Sequence, residues 1–216
     1  MFKKIAVATL LTGVAGIANA ASLNYGWEDG VGTVLGSFND DGMQYSNTDA
    51  LAYSGNRALL IEDLSDQNTG TPQGYVAWVT GLADGDTVTA GFWAYDVSAG
   101  AAPSARIWGH YTTDDTDIES YAGSAGGNST FSDGSGWSYL EYTWTFDSNG
   151  GERDGLVVES RFYDGGDAPT GAILIDDLSV TSSAGMITSP VPLPAAAWLF
   201  ITGLAGVFGV RLRQRA

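Results

Sequence analysis

The chain has 216 residues, with 25 Asp or Glu against nine Lys or Arg, one histidine, 30 glycines and no cysteine. Without cysteine no disulfide can staple the fold, so a hydrophobic core has to hold it. The acidic surface excludes nucleic acid as a partner, because it would release no counterions from a phosphate backbone.

At the N-terminus, Lys3 and Lys4 precede the apolar run Ile5 to Ile17, and Ala18-Asn19-Ala20 is a small-x-small cleavage site. Residues 1–20 therefore read as a signal peptide; as a membrane anchor the run is too short. Export across the inner membrane follows. Between the terminal segments the basic residues are Arg57, Arg106, Arg153 and Arg161, and all 25 acids remain, giving 4 − 25 = −21. That charge favours neutral ligands, cations such as Ca²⁺, or solubility in a salty medium.

From residue 21 the chain reads as short β-strands. "SLNYGWEDG" and "NRALLIEDLS" come first. "QGYVAWVTG", "DTVTAGFWAYDVS", "SARIWGHYTT", "SYLEYTWTFDS", "GLVVESRFYDG" and "GAILIDDLSVT" then alternate as half-buried strands do. Turn-forming clusters separate them, among them "GLADGD", "AGSAGGNSTFSDGSG" and "SNGGERD". Roughly eight strands without crossover helices predict an all-β fold, an antiparallel sandwich or jelly roll over residues 21–181. Strict alternation turns Leu140, Tyr142, Trp144 and Phe146 inward, and likewise Leu174, Asp176, Leu178 and Val180. Residues 182–190 show no strand pattern and read as a linker.

Three features bear on chemistry. Arg106, Trp108 and His110 alternate on one strand face, and Glu159, Arg161 and Tyr163 on another. Aromatic faces with polar neighbours suit a pyranose ring; Trp108 as a core residue is the alternative. "DDTDIES" (Asp114 to Ser120) lacks the glycine and the closing glutamate of an EF-hand loop and reads as a solvated hairpin tip. Catalytic motifs are missing: His110 has no evident nucleophile partner, and there is no G-x-S-x-G or H-E-x-x-H. Glu141 with Glu159 imitates a glycosidase pair, but such pairs arise by chance in an acidic chain. The chain reads as a non-enzyme.

The tail, residues 191–216, is different in kind. Pro190, Pro192 and Pro194 keep its entry extended. Ala195 to Val210 is uncharged and would make a helix of about 24 Å, short of the ~30 Å hydrocarbon core, and Arg211, Arg213 and Arg215 would hold its end on the cytoplasmic side.

Two resemblances follow from these motifs. "LNYGWEDG", "AYSGNRALLIED", "VTGLADGDTVTAGFWAYD", "GWSYLEYTWTFDS" and "GAILIDDLSV" resemble the galactose-binding-like jelly rolls of carbohydrate-binding modules. The resemblance implies that the strands carrying Arg106 and Glu159 are neighbours, so that the two rows form a glycan groove. It also implies a structural Ca²⁺ at Glu28 and Asp176, with carbonyls near Gly55 or Asn56; the alternative is that Asp176 accepts turn N–H bonds and no metal is held. "VPLPAAAWLF" with the terminal arginines is similar to the PEP-CTERM sorting signal in its VPLPA form (Val191, Pro192, Leu193, Pro194). That resemblance implies an exosortase as processing partner, a transient membrane tether and release to the cell surface or matrix; a permanent single span is the alternative. Together they predict an exported, non-enzymatic protein of exopolysaccharide or biofilm material. A carbohydrate-binding module is the second reading and a glycoside-active enzyme the third.

Overall fold

The computed structural model describes residues 20–39, 41–64, 71–96, 104–130, 132, 134, 136–163 and 171–190. The expected signal peptide, except for Ala20, and the expected sorting motif Val191–Pro194 with Arg211, Arg213 and Arg215 lie outside the described residues. Among those described, every regular element is a strand: β1 (Ala21–Tyr25), β2 (Ser37–Phe38), β3 (Met43–Thr48), β4 (Ala58–Asp63), β5 (Gln73–Thr80) and β6 (Thr87–Asp96), then β7 (Ser104–Thr112), β8 (Tyr121–Gly127), β9 (Gly136–Thr145), β10 (Gly155–Tyr163), β11 (Ala172–Ser182) and β12 (Met186–Thr188).

All pairings are antiparallel, in two six-stranded sheets. The first runs β3-β4-β11-β6-β9, with β1 also on β11; the second runs β12-β5-β10-β7-β8, with β2 also on β5. Long β11 is flanked by β6 on one side, and by β4 and then β1 on the other. The sheets pack face to face because each strand alternates. Val88, Ala90, Phe92 and Ala94 of β6 are buried with Leu59, Ile61, Ile173 and Ile175, against Val76, Val79, Ala105, Ile107, Leu156, Val158 and Phe162 of the second sheet. Each large side chain buried here contributes roughly 1.5–3 kcal/mol. That core replaces the missing disulfides.

The sandwich matches the expected class, adds β2 and β3, which the alternation pattern did not mark, and departs from expectation in four further places. β8 lies inside "AGSAGGNSTFSDGSG", where composition suggested only turns; it pairs with β7 although Gly123 and Gly126 have positive φ, and a Cβ at Gly127 would press on the Trp108 backbone. Propensity misled here because close approach needs glycine. β12, in the stretch read as a linker, pairs with β5. Tyr142 has the inward parity but is exposed, since β9 is an edge strand.

The fourth departure is a β-bulge in β11. Asp176 pairs with Trp93 and Ser179 with Gly91, so β11 carries one extra residue there, and Asp177 takes φ 48°. The bulge resets the alternation. Leu178 and Val180 face the core as expected. Leu174 and Asp176 instead share the outer face with their partners Tyr95 and Trp93. A left-handed conformation suits glycine and tolerates Asp but not a β-branched residue. We expect Asp177→Gly to lose only the Ser54 hydroxyl bond, and Asp177→Val to cost roughly 1–2 kcal/mol more, read as the difference in urea midpoints at equal slope.

Candidate functional site

The register of β7 on β10 joins the two polar-aromatic rows. Arg106 pairs with Arg161, and Trp108 with Glu159. Because Ala105, Ile107 and Phe162 point into the core, the alternate residues Arg106, Trp108, His110, Glu159, Arg161 and Tyr163 line the outer face of the second sheet. Trp108 is half-buried on this face and is not a core residue.

Glu159 is the centre of the cluster. It is fully buried; its Oε1 lies 2.6 Å from His110 Nδ1, and its Oε2 accepts a bond from Arg161 Nε at 2.7 Å. His110 is buried as well, whereas the Arg161 side chain is 17 % exposed. The carboxylate thus sits beneath the two nitrogen-bearing groups and fixes both of them. Arg161 lies over the Trp108 ring, 4.7 Å from its centroid, and Arg106 over Tyr163 at 5.2 Å. The Trp108 indole N–H donates to Ser124 Oγ on β8 at 2.9 Å. These contacts hold rings and guanidinium groups together on the outer face of the sheet.

Two aromatic residues complete the cluster. Tyr75 meets the His110 ring edge-on at 4.9 Å, and Tyr121 reaches it at 5.6 Å with 65 % of its surface exposed. Neither stands out in the sequence. Tyr75 is hidden by a bulge: β10 residues Val158 and Glu159 face Ala77 and Tyr75, so Val76 is extra and Tyr75 leaves the face of Ala77 and Val79. Tyr121 opens the glycine-rich strand that composition assigned to a turn.

The remaining candidates fall elsewhere. Asp114 to Ser120 is a hairpin connection knit by its own Asp114 and Asp117 carboxylates and by the Asp117 carbonyl, which accepts from the Ser120 hydroxyl. Glu141, on β9 of the first sheet, is on the opposite sheet from Glu159, so the two form no pair. Glu28 and Asp176 do converge, around Gly26 and the turn at residues 53–57. Asp176 is fully buried; its Oδ2 accepts the Tyr53 and Ser54 N–H bonds at 2.9 and 3.1 Å, and its Oδ1 the Asp177 N–H at 2.7 Å. Burial pushes its carboxyl above the ordinary range, against the pull of those N–H groups. Glu28 Oε1 accepts the N–H bonds of Asn56 and Arg57, which hold its carboxyl below the ordinary range. A cavity of about 380 Å³ opens here, lined by Asn24, Tyr25, Gly26, Glu28, Asp177 and Leu178. Among the described residues no three His, Asp or Glu side chains group as a metal cluster.

No family profile matches the sequence, and no curated protein does. Solved structures do. The CBM22-2 xylan-binding domain of Paenibacillus barcinonensis Xyn10C superposes with TM-score 0.51 at 17% identity, over 74% of this chain and 98% of that one. The CBM22-1–CBM22-2 tandem of the same protein gives TM-score 0.51 at 15% identity, over 80% of this chain and 47% of that one. The chain therefore has the jelly-roll fold of carbohydrate-binding modules; at these identities the likeness concerns the fold.

Replacing one Glu159 oxygen by an amide NH₂ removes the Arg161 counter-ion and leaves either Arg161 or His110 without its acceptor. We expect Glu159→Gln to lower stability by on the order of 3 kcal/mol, visible as a depressed thermal midpoint before any ligand is added.

Proposed function

We propose that the protein is a non-catalytic carbohydrate-binding domain that holds a polysaccharide on the outer face of its second sheet. The observation that carries this reading is the β7–β10 pairing, which aligns Trp108, Tyr163, Arg106 and Arg161 around the buried Glu159. Trp108 and exposed Tyr121 would offer ring faces to the C–H side of a pyranose, while Arg106 and Arg161 would donate to its hydroxyls. Glu159 would act from beneath, by orienting Arg161 and His110. Both Glu159 oxygens are already engaged, which favours this positioning role over acid–base work.

The xylan-binding names of the structural neighbours make xylan the first ligand to try. On an affinity gel containing soluble xylan, we expect Trp108→Ala to weaken retention at least tenfold, the size of effect expected from losing one stacked ring and its rim, with the β-sheet circular dichroism and cooperative unfolding of the native protein retained. A variant retained like the native protein would refute the face.

The proposal extends to export through residues 1–20, with processing by an exosortase at Val191–Pro194 and delivery to surface or matrix material. These parts rest on the sequence motifs alone. It also includes a Ca²⁺ ion at Glu28 and Asp176, supported by Asp176 Oδ1, Asp177 Oδ1 and the Glu28 Cγ all lying beside Gly26, with the Glu28 carboxylate on the adjoining Gly55 turn. The turn now offers them N–H donors rather than carbonyl oxygens, so an ion would have to use lone pairs those bonds leave open. If the ion is structural, the thermal midpoint will rise in Ca²⁺ and fall in chelator; equal midpoints would remove it.

A further inference from the structure

The outer face of the first sheet is divided in two. At one end it is polar, as a solvated antiparallel face ordinarily is: Thr87, Thr89, Thr143 and Thr145 stand in register, and the Thr89 and Thr143 hydroxyls bond at 2.8 Å. At the other end the same two strands carry only large rings. Trp93 pairs with Tyr139, and Tyr95 with Trp137, at centroid distances of 5.3 Å for both pairs. Tyr53, from the turn above β11, stacks on Trp93 at 3.9 Å and 13°, and meets Trp137 edge-on at 5.6 Å. Tyr53 remains 41% exposed and Tyr139 43%.

This surface is built rather than incidental. Gly91 is the residue beside which the Tyr139 ring lies, and a Cβ there would strike the ring and its hydroxyl. Glu141 accepts a bond from the Tyr139 hydroxyl at 3.3 Å. Exposed aromatic area of this kind costs stability unless something covers it.

We infer that this aromatic end of the first sheet is a second polysaccharide-binding platform, so that the protein bridges two neutral glycan chains. The inference rests on the carbohydrate-binding reading of the opposite face. Charge selects the occupant. The four arginines of the described residues are engaged elsewhere: Arg57 on Asn47, Arg153 over Tyr111, and Arg106 and Arg161 on the second sheet. The acidic groups at the rings are the Glu141 carboxylate and, buried beside Trp93 and under the Tyr53 turn, that of Asp176, in a segment of charge −21. An anionic polymer and a second copy of this chain are both repelled, whereas a neutral pyranose polymer meets rings with its C–H face and the Tyr hydroxyls and Glu141 with its own hydroxyls. Because the sheets share one core, their outer faces point in opposite directions and no single short stretch of glycan spans both. Two weak faces then act together on a polymer network.

The test uses the full-length protein with soluble arabinoxylan, and variants Trp108→Ala, Trp137→Ala/Tyr139→Ala and the milder Tyr139→Ser, each measured well below its own cooperative thermal midpoint. The native protein should cluster the polymer, raising its light scattering. Each variant should lower that signal at least tenfold while keeping part of its retention on an arabinoxylan gel. A Tyr139→Ser protein that clusters arabinoxylan as the native one does would overturn the platform. So would a native protein that is retained but never clusters the polymer, or sedimentation showing that Tyr139→Ser dissociates a dimer, which would assign the rings to a second copy. A native protein retained by no arabinoxylan at all would instead overturn the reading of the first face, and this inference with it.

Discussion

A carboxylate buried in the middle of a sheet is costly unless its charge is met, and Glu159 is met from two sides. His110 comes from the neighbouring strand and Arg161 from two residues along its own. Meeting that charge fixes the side chains above it: Arg161 is held over Trp108, and His110 is wedged between Tyr75 and Tyr121. The pattern of the face thus follows from one desolvated charge, and from a register that sets Glu159 opposite Trp108.

That register depends in turn on the core. Strands β5, β7 and β10 are pinned by inward residues such as Val76, Ile107 and Leu156, and a slip of one residue would send Trp108 and Glu159 inward. Two bulges adjust what strict alternation would give. The one at Val76 frees Tyr75 to join the polar face, and the one at Asp177 sends Asp176 outward to receive the turn that carries Tyr53. Both surfaces of interest therefore contain a residue delivered by an irregularity. The Asp176 carboxylate ties the Tyr53 turn to the sheet through backbone N–H bonds, and so supports the ring stack on the first sheet.

Acidity gives the two faces a common chemistry. With −21 spread over residues 21–190, the arginines are scarce, and two of them stand as cross-strand partners on the second sheet. The first sheet's aromatic end has a carboxylate in place of such cations. Rings on both outer sides, with hydroxyl or guanidinium rims, are the chemistry on which the proposed binding of flat, uncharged, hydroxyl-rich polymers rests.

Much of this was legible in the chain itself. Strand alternation in "SARIWGHYTT" and "GLVVESRFYDG" set Arg106, Trp108 and His110 on one face and Glu159, Arg161 and Tyr163 on another, because a period of two is local and needs no partner. Composition determined the all-β class, since a chain rich in glycine and β-branched residues, without a helical period, has few other ways to bury its apolar side chains. Only the tertiary structure decided which strands are neighbours, since pairing is set by long-range packing. It also decided where a bulge breaks the count, as at Val76 and Asp177. For the same reason it alone brought Tyr75, Tyr121 and the Tyr53–Trp93 stack to their faces, and gave the Asp176 oxygens to the turn's N–H groups: those contacts join residues up to 123 positions apart, beyond the reach of any local pattern.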